Sequence, residues 1–454
     1  MPHSSIVHDL RSAHSADALL TGAPLPTLLY FALPIILGNI FQQLYSIVDA
    51  IVVGNFLGDL PLSGISVASP IVDVANALVI GGTIGVGVLC AHYCGAGEGE
   101  RLRCMNATAL LGGGALTLLI ALCGIFFSTP LLRAQGTEEA VCREAAVYLQ
   151  LVFAGLLFCF LYNYYAAMLR SCGNSRTPFL ILLLSSTLHA LLDVLFVGVF
   201  GWGIRGVAFS TVLCQALAAA ACILYAQRRC PPLLLRPANL RFDRQMARLV
   251  LSYAWAAALQ QAVVCIGRLL VQGMLTPLGT STVTGYNMSL RTEQFLFCFS
   301  QGISAAMVVC LSQNLGHGDR PRARRFFRIS VLVELALIAL LGTVCFLFPA
   351  RIVGLFSDNA DVIAAGAQYT GAMAYLYVFA YLGEVIQGFF RGLGRLRLTM
   401  VASLLQVLLR VVLSYLLIPV WGMYGICAAV VSGWVLLAGI EGAYAVRKSS
   451  ALAA

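Results

Sequence analysis

The chain is 454 residues long, 60% hydrophobic and only 10% charged, with a mean hydropathy of +0.89 and a formal net charge of +9. A soluble globular chain carries about 25% charged residues, so a water-soluble enzyme or scaffold is excluded. Apolar runs of about twenty residues or more recur along the whole length, and backbone groups in hydrocarbon must bond internally, so an all-α integral membrane protein is expected.

Residues 1–23 form a polar tail without the charged, apolar, small-residue order of a cleaved signal, so the first span is expected to insert uncleaved. Apolar stretches bounded by Gly, Pro and Arg clusters place six spans near 25–55, 62–93, 104–128, 140–168, 177–200 and 206–227. A polar linker follows at 229–245. Six more spans lie near 246–275, 283–312, 326–348, 361–388, 398–420 and 424–446, before a second tail at 448–454. Several exceed the roughly 20 residues that cross a bilayer, which implies tilt or extension past its surface. The expected organisation is twelve transmembrane helices in two six-helix lobes, an N-lobe over 24–228 and a C-lobe over 246–447.

The lobes are copies of one unit. At a constant shift of 221 residues Gly64 falls on Gly285, Gly81 on Gly302, Gly95 on Gly316, Arg103 on Arg324, Arg170 on Arg391 and Gly173 on Gly394. Glycines and arginines in short polar loops seldom coincide in this way by chance. An even number of spans per copy gives both copies one orientation, so they are parallel repeats related by a pseudo-twofold axis along the membrane normal.

Loop charge sets that orientation. With the N-terminus inside, the inner loops and tails hold most of the 28 Lys and Arg, among them Arg101, Arg103, Arg170, Arg176, Arg228, Arg229, Arg324 and Arg391; the outer side holds Arg133, Arg143, Arg205 and Arg351. This bias puts both termini in the cytoplasm, with the chain in the cell membrane. The +9 charge is then topological, and no nucleic-acid partner is implied. Fifteen cysteines sit mostly singly in apolar spans, where a thiol behaves as a small hydrophobe. Cys90 and Cys94 share a helix face, but His92 points away from it and no second ligand pair is evident. Core packing is the reading, with no metal or cofactor.

Charges in hydrocarbon cost at least about 2.5–3.5 kcal/mol each, so those that persist mark a cavity or pathway. In the first repeat they are Asp49, Asp73 and Asp193, with His189. In the second they are Arg268, Arg291, Glu293, Arg410 and Glu384, with Glu334 and Glu441 as weaker candidates. Counted from Gly58, Gly64 and Gly201, the three aspartates sit about 12–14 Å below one outer surface if the helices stand upright. Carboxylates that close in low dielectric cannot all stay ionised unless a cation joins them, which makes a proton or Na⁺ site the natural reading. His189 precedes Asp193 by four residues and shares its helical face. The second repeat is basic by contrast. One arginine is expected to pair with Glu293, and the surplus suits an anionic or zwitterionic cargo.

The run LPIILGNIFQQLYSIVD (33–49), followed by AIVVGNFLG, resembles the first helix of the multidrug and toxic compound extrusion (MATE) family. AAMLRSCGNSRTP (166–178), GVAFST (206–211), SQNLGHGD (312–319) and EVIQGFFRGLGR (384–395) extend the resemblance over both repeats, from about 24 to 446. The resemblance implies two six-helix lobes around a central cavity, export by alternating access driven by H⁺ or Na⁺, no enzymatic activity and a monomer. It gives Asp49 the position of the coupling carboxylate. The family's N-x-x-x-D on the fifth helix ends here at Asp193 but holds His189 in place of Asn. Thr211 matches a hydroxyl of the same site, and Pro34 a bend in the first helix. The seventh helix carries Arg268 and no acid, which departs from members with a second-lobe carboxylate there.

The sequence thus implies a cation-coupled antiporter that exports small molecules or drugs. Cation coupling falls to Asp49, Asp193, His189, Thr211 and Asp73, with Pro34 as hinge. Cargo would meet Asn39, Gln42, Gln43, Asn163, Gln260, Gln261, Asn287 and Met288, together with Arg268, Arg291, Glu293 and Arg410. The alternative is a flippase for a lipid-linked or polysaccharide precursor, favoured by the C-lobe arginines. A membrane transferase would need paired acids near one surface, and the only adjacent acidic pair is Glu138-Glu139.

Overall fold

A computed structural model describes residues 14–233, 241–275 and 279–447; the side chains of residues 14–17, 48–50, 59, 232, 272 and 446 lie outside that description. Most of the two expected tails and part of the linker fall outside it too. The helices, in chain order, are α1 (His14–Thr21), α2 (Pro24–Leu57), α3 (Asp59–Ala96), α4 (Gly99–Ala134), α5 (Glu139–Ala154), α6 (Leu156–Ser171) and α7 (Arg176–Asp193). A π-helical turn, Val194–Val199, leads to α8 (Ile204–Arg229). Then come α9 (Arg244–Gly273), α10 (Thr280–His317), α11 (Arg320–Leu347), α12 (Pro349–Val353), α13 (Ala360–Met373), α14 (Tyr377–Gly392), α15 (Leu396–Trp421) and α16 (Met423–Arg447).

Among the described residues ten helices are long and apolar enough to cross a membrane, and two bent pairs bring the number to as many as twelve. The bent pairs are α5 with α6, at 44°, and α13 with α14, at 57°. The spans expected as single helices at 140–168 and 361–388 are therefore broken ones. At the first break Val212 of α8 lies against Gly155, where any β-carbon would collide with it. At the second, Gly342 of α11 closes on the Ala374 carbonyl, which an added β-carbon would approach to 2.9 Å. Neighbouring helices thus press on the chain where it turns, a packing cause that apolar periodicity does not carry.

The chain divides into two units. The first holds Leu33–Ala262 and Ser312–Asp319 with the described chain before Ala23; the second holds Ala23–Ala32, Val263–Leu311 and the described chain from Arg320 on. The boundary on α2 falls between Ala32 and Leu33, beside the buried Pro34.

The core of the first unit gathers Leu102, Met105, Leu149, Phe160, Tyr164 and Met168. Polar groups inside it are paired: Tyr164 donates to Asn106 Oδ1 at 2.7 Å, and Asn106 Nδ2 donates to the Leu233 carbonyl at 3.1 Å. Such pairing offsets the cost of burying them. Close backbone approach is built on glycine at Gly95, where an added β-carbon would overlap the Gln313 carbonyl of α10. In the second unit Tyr286, Tyr369, Tyr377, Tyr381 and Trp434 form an aromatic core. Large apolar side chains left exposed, such as Leu118, Leu119, Phe126 and Leu184, suit contact with lipid.

Candidate cation site in the first unit

Asp193 ends the regular part of α7, and the helix widens into the π turn immediately after it. Such turns recur at functional positions because they re-aim side chains without ending the helix. Gly201 and Gly203, at φ +65° and +59°, then reverse the chain; a side chain at either position would be strained. The reversal is clamped by Trp202, whose N–H donates to the Phe196 carbonyl at 2.9 Å and whose ring stacks on Phe196 at 4.9 Å. It brings α8 back antiparallel to α7, so that Ser210 and Thr211 face His189 and Asp193.

Five side chains from three helices meet there. Asp193 is fully buried and His189 is 4% exposed. His189 Nδ1 lies 3.0 Å from Asp193 Oδ2, an ion pair when the ring is protonated. The approach is off the hydrogen-bond direction, so the attraction is electrostatic. Asp193 Oδ1 accepts a short hydrogen bond from Ser210. His189 Nε2 is 2.9 Å from Thr211 Oγ1. Tyr45 of α2 lies edge-on to the ring, 4.9 Å between centroids, with its hydroxyl against Nδ1.

Thr211 already donates its proton to the Val207 carbonyl at 2.9 Å, so its free lone pair accepts from Nε2–H. This leaves Nδ1 as the ring nitrogen that faces Tyr45 and Asp193. Unprotonated, it accepts from Tyr45; protonated, it carries a positive charge beside Asp193. The arrangement has the donors and acceptors to hold and release one small cation.

Of the expected coupling residues, Asp193, His189 and Thr211 come together. Asp49 lies on α2, one helical turn after Tyr45, but its side chain is outside the described residues. Asp73 is exposed on α3, unlike the buried Asp193. Sequence reasoning missed Tyr45 and Ser210. Their only local signals are the four-residue spacing of Tyr45 to Asp49 and the adjacency of Ser210 to Thr211.

The candidate cargo residues divide by unit. In the first, Asn39 and Gln43 are half-buried and Gln42 exposed on α2; Gln260 is buried and Gln261 half-buried on α9. Asn163 donates to the Cys159 carbonyl of its own helix at 2.9 Å. In the second, Asn287 and Met288 are half-buried, while Arg268 and Arg291 are exposed. The expected arginine–Glu293 ion pair is not formed among the described residues. Glu293 accepts instead from Tyr377 at 3.2 Å and Tyr369 at 3.4 Å, hydroxyls that α13 and α14 deliver to it. Arg410 faces the Tyr286 hydroxyl, within electrostatic reach of Glu293. Glu334 and Glu441, weaker candidates from sequence, are both fully buried. Neither carboxylate makes a hydrogen bond of normal geometry among the described residues, and Glu384 forms an ion pair with Arg391 at 2.8 Å nearby.

Comparison with known proteins matches this architecture. The MatE family model covers residues 34–195 and again 256–416, the two halves of the internal repeat. A probable multidrug resistance protein of Bacillus subtilis, YpnP, is 27% identical over 387 residues, 85% of this chain and 86% of that one. An FAD transporter of Shewanella oneidensis is 26% identical over 76% of this chain and 77% of its own length. Among solved structures, a MOP superfamily transporter from Pyrococcus furiosus, described by the reverse polarity of its binding pocket, superposes with a TM-score of 0.89 at 19% identity, covering 96% of this chain and 98% of that one. An outward-facing multidrug resistance MATE transporter superposes at 0.86, also at 19% identity, with the same coverage. With a family model matched twice along a helical membrane chain built as a repeat, the protein belongs to the MatE family of multidrug and toxic compound extrusion transporters.

Proposed function

We propose that this transporter is a cation-coupled antiporter, driven by H⁺ or Na⁺, that exports small molecules from the cytoplasm across the cell membrane, with both termini cytoplasmic. The observation that carries the reading is the buried pair His189–Asp193 closed by Tyr45, Ser210 and Thr211. A carboxylate and an imidazole this deep in a membrane protein are costly unless a cation comes and goes. Asp49, one turn beyond Tyr45, and Asp73 complete the coupling set. Cation binding and cargo binding favour opposite-facing states, so each drives the other across. Pro34, inside α2, is where that helix bends as the site fills and empties.

The test is gradient-driven efflux in proteoliposomes. Asp49→Asn and Asp193→Asn should each abolish uphill export while leaving insertion and expression intact. Undiminished uphill transport in both variants would remove the coupling role.

A second reading concerns cargo. Arg268 and Arg410 both lie within electrostatic reach of Tyr286 in the second unit, which suits an anionic cargo, up to the lipid-linked or polysaccharide precursor a flippase would carry. Competition between organic cations and organic anions, with Arg268→Gln and Arg410→Gln, separates the two. Loss of anion transport alone favours the second.

A further inference from the structure

The cysteine pair read from sequence as core packing is joined in the first unit by a third thiol from a distant helix end. Cys90 and Cys94 lie one turn apart near the end of α3, and Cys172 directly follows the last residue of α6. Their sulfur atoms all lie within 4.8 Å of one another; Cys94 Sγ is 3.4 Å from Cys172 Sγ and 4.0 Å from Cys90 Sγ. Cys230, which caps the end of α8, stands within electrostatic range of both Cys94 and Cys172. His92 is exposed and takes no part.

The backbone around the cluster is held in place. Ser171 donates to the Gly87 carbonyl of α3 at 2.8 Å and accepts from Gln313 through its own carbonyl at 2.6 Å. Gly173, at φ +91°, ends α6 with its N–H on the Arg170 carbonyl at 2.9 Å. Cys172 therefore cannot drift away from Cys94 without breaking contacts on both sides. Cys90 is fully buried, while Cys94 and Cys172 are half-buried.

We propose that Cys90, Cys94 and Cys172 form a binding site for a thiophilic d¹⁰ metal ion, Zn²⁺ or Cu⁺. Metal–sulfur bonds of about 2.3 Å place thiolates about 3.8–4.0 Å apart in tetrahedral or trigonal geometry, close to the observed separations. A disulfide needs about 2.05 Å and joins only two sulfurs, whereas three thiols share this space. Soft thiolates select Cu⁺ and Zn²⁺ over the hard cations of a transport cycle. The site lies apart from the cation site: α7 runs from Arg176 to Asp193 between them, about 25 Å of helix. With three thiolates the set suits trigonal Cu⁺, and a solvent molecule would complete the four ligands that Zn²⁺ prefers.

The experiment uses the full-length protein in detergent, reduced and anaerobic, titrated with Zn²⁺ or, in a separate arm, with Cu⁺ against a competing chelator. One ion per chain should bind, and loading should protect Cys94 and Cys172 from alkylation, read residue by residue by mass spectrometry. C94S and C172S should each weaken binding at least about tenfold, since losing even an outer-shell partner costs 10–100-fold. C123S, which alters an exposed thiol elsewhere, should leave it unchanged. No protection at Cys94 and Cys172 with either ion would overturn the proposal. So would undiminished binding by C90S/C94S/C172S, or a Cys94–Cys172 disulfide that after reduction takes up no metal.

Discussion

Asp193→Asn removes a carboxylate that accepts from Ser210 and lies 3.0 Å from His189 Nδ1. A hydrogen bond or close contact to a charged group contributes about 1.5–3 kcal/mol, or about ten- to a hundredfold in an equilibrium constant. The apparent affinity for the driving cation should fall by that factor, so that more acid or more Na⁺ is needed for half-response. His189→Asn acts on the same network. The double variant should therefore lose less than the product of the single losses, with a coupling of about 0.5–3 kcal/mol. Trp202 stacks on Phe196, three residues beyond Asp193, so its fluorescence reports site occupancy without knowledge of the cargo. Acid and Na⁺ titrations of wild type and the three variants, with Trp202→Phe as the blank, give the four midpoints. If the midpoint is unmoved in Asp193→Asn, or the two single effects multiply in the double variant, the buried pair is not the cation site.

Tyr45→Phe deletes one neutral hydroxyl facing His189. At about 1 kcal/mol it should shift the same midpoint about fivefold, and an unchanged midpoint would take Tyr45 out of the network. Gly95→Ala forces a β-carbon onto the Gln313 carbonyl, whereas Gly54→Ala meets nothing within 4 Å. The first should destabilise the protein by about 1–3 kcal/mol or more, seen as a lower thermal midpoint in detergent, while the second stays level with wild type; equal midpoints would contradict the close approach. Glu334→Gln exchanges a fully buried carboxylate that makes no hydrogen bond of normal geometry among the described residues for a neutral amide. At alkaline pH, where the wild-type carboxyl must either ionise at a desolvation cost or hold its proton, the variant's thermal midpoint should hold or rise; a clear fall would mean the carboxylate has a partner that holds it.

His189 and Asp193 were legible because a helix places residues four apart on one face, and a pair of ionisable groups in an apolar run stands out against its neighbours. Thr211 came from the resemblance to a known motif. Tyr45 was not legible: it lies 144 residues from His189, and tyrosines are common in such helices. The Arg–Glu293 pair was expected from charge alone, yet Tyr369 and Tyr377 reach the carboxylate first, because the break between α13 and α14 carries one tyrosine on each side. The cysteine cluster was missed for a similar reason. Cys90 and Cys94 were visible as a pair, but Cys172 arrives from 78 residues away.

Composition, repeat and loop punctuation by themselves determined the helical membrane class, the duplication and the family, because a bilayer leaves the backbone almost no other choice and because glycines and arginines keep their register through a duplication. Tertiary structure alone decided where two long spans break, which hydroxyls surround the buried imidazole, and that three scattered thiols share one space. Those outcomes depend on helix-to-helix contact between segments far apart in the chain, and no local period in the residues encodes it.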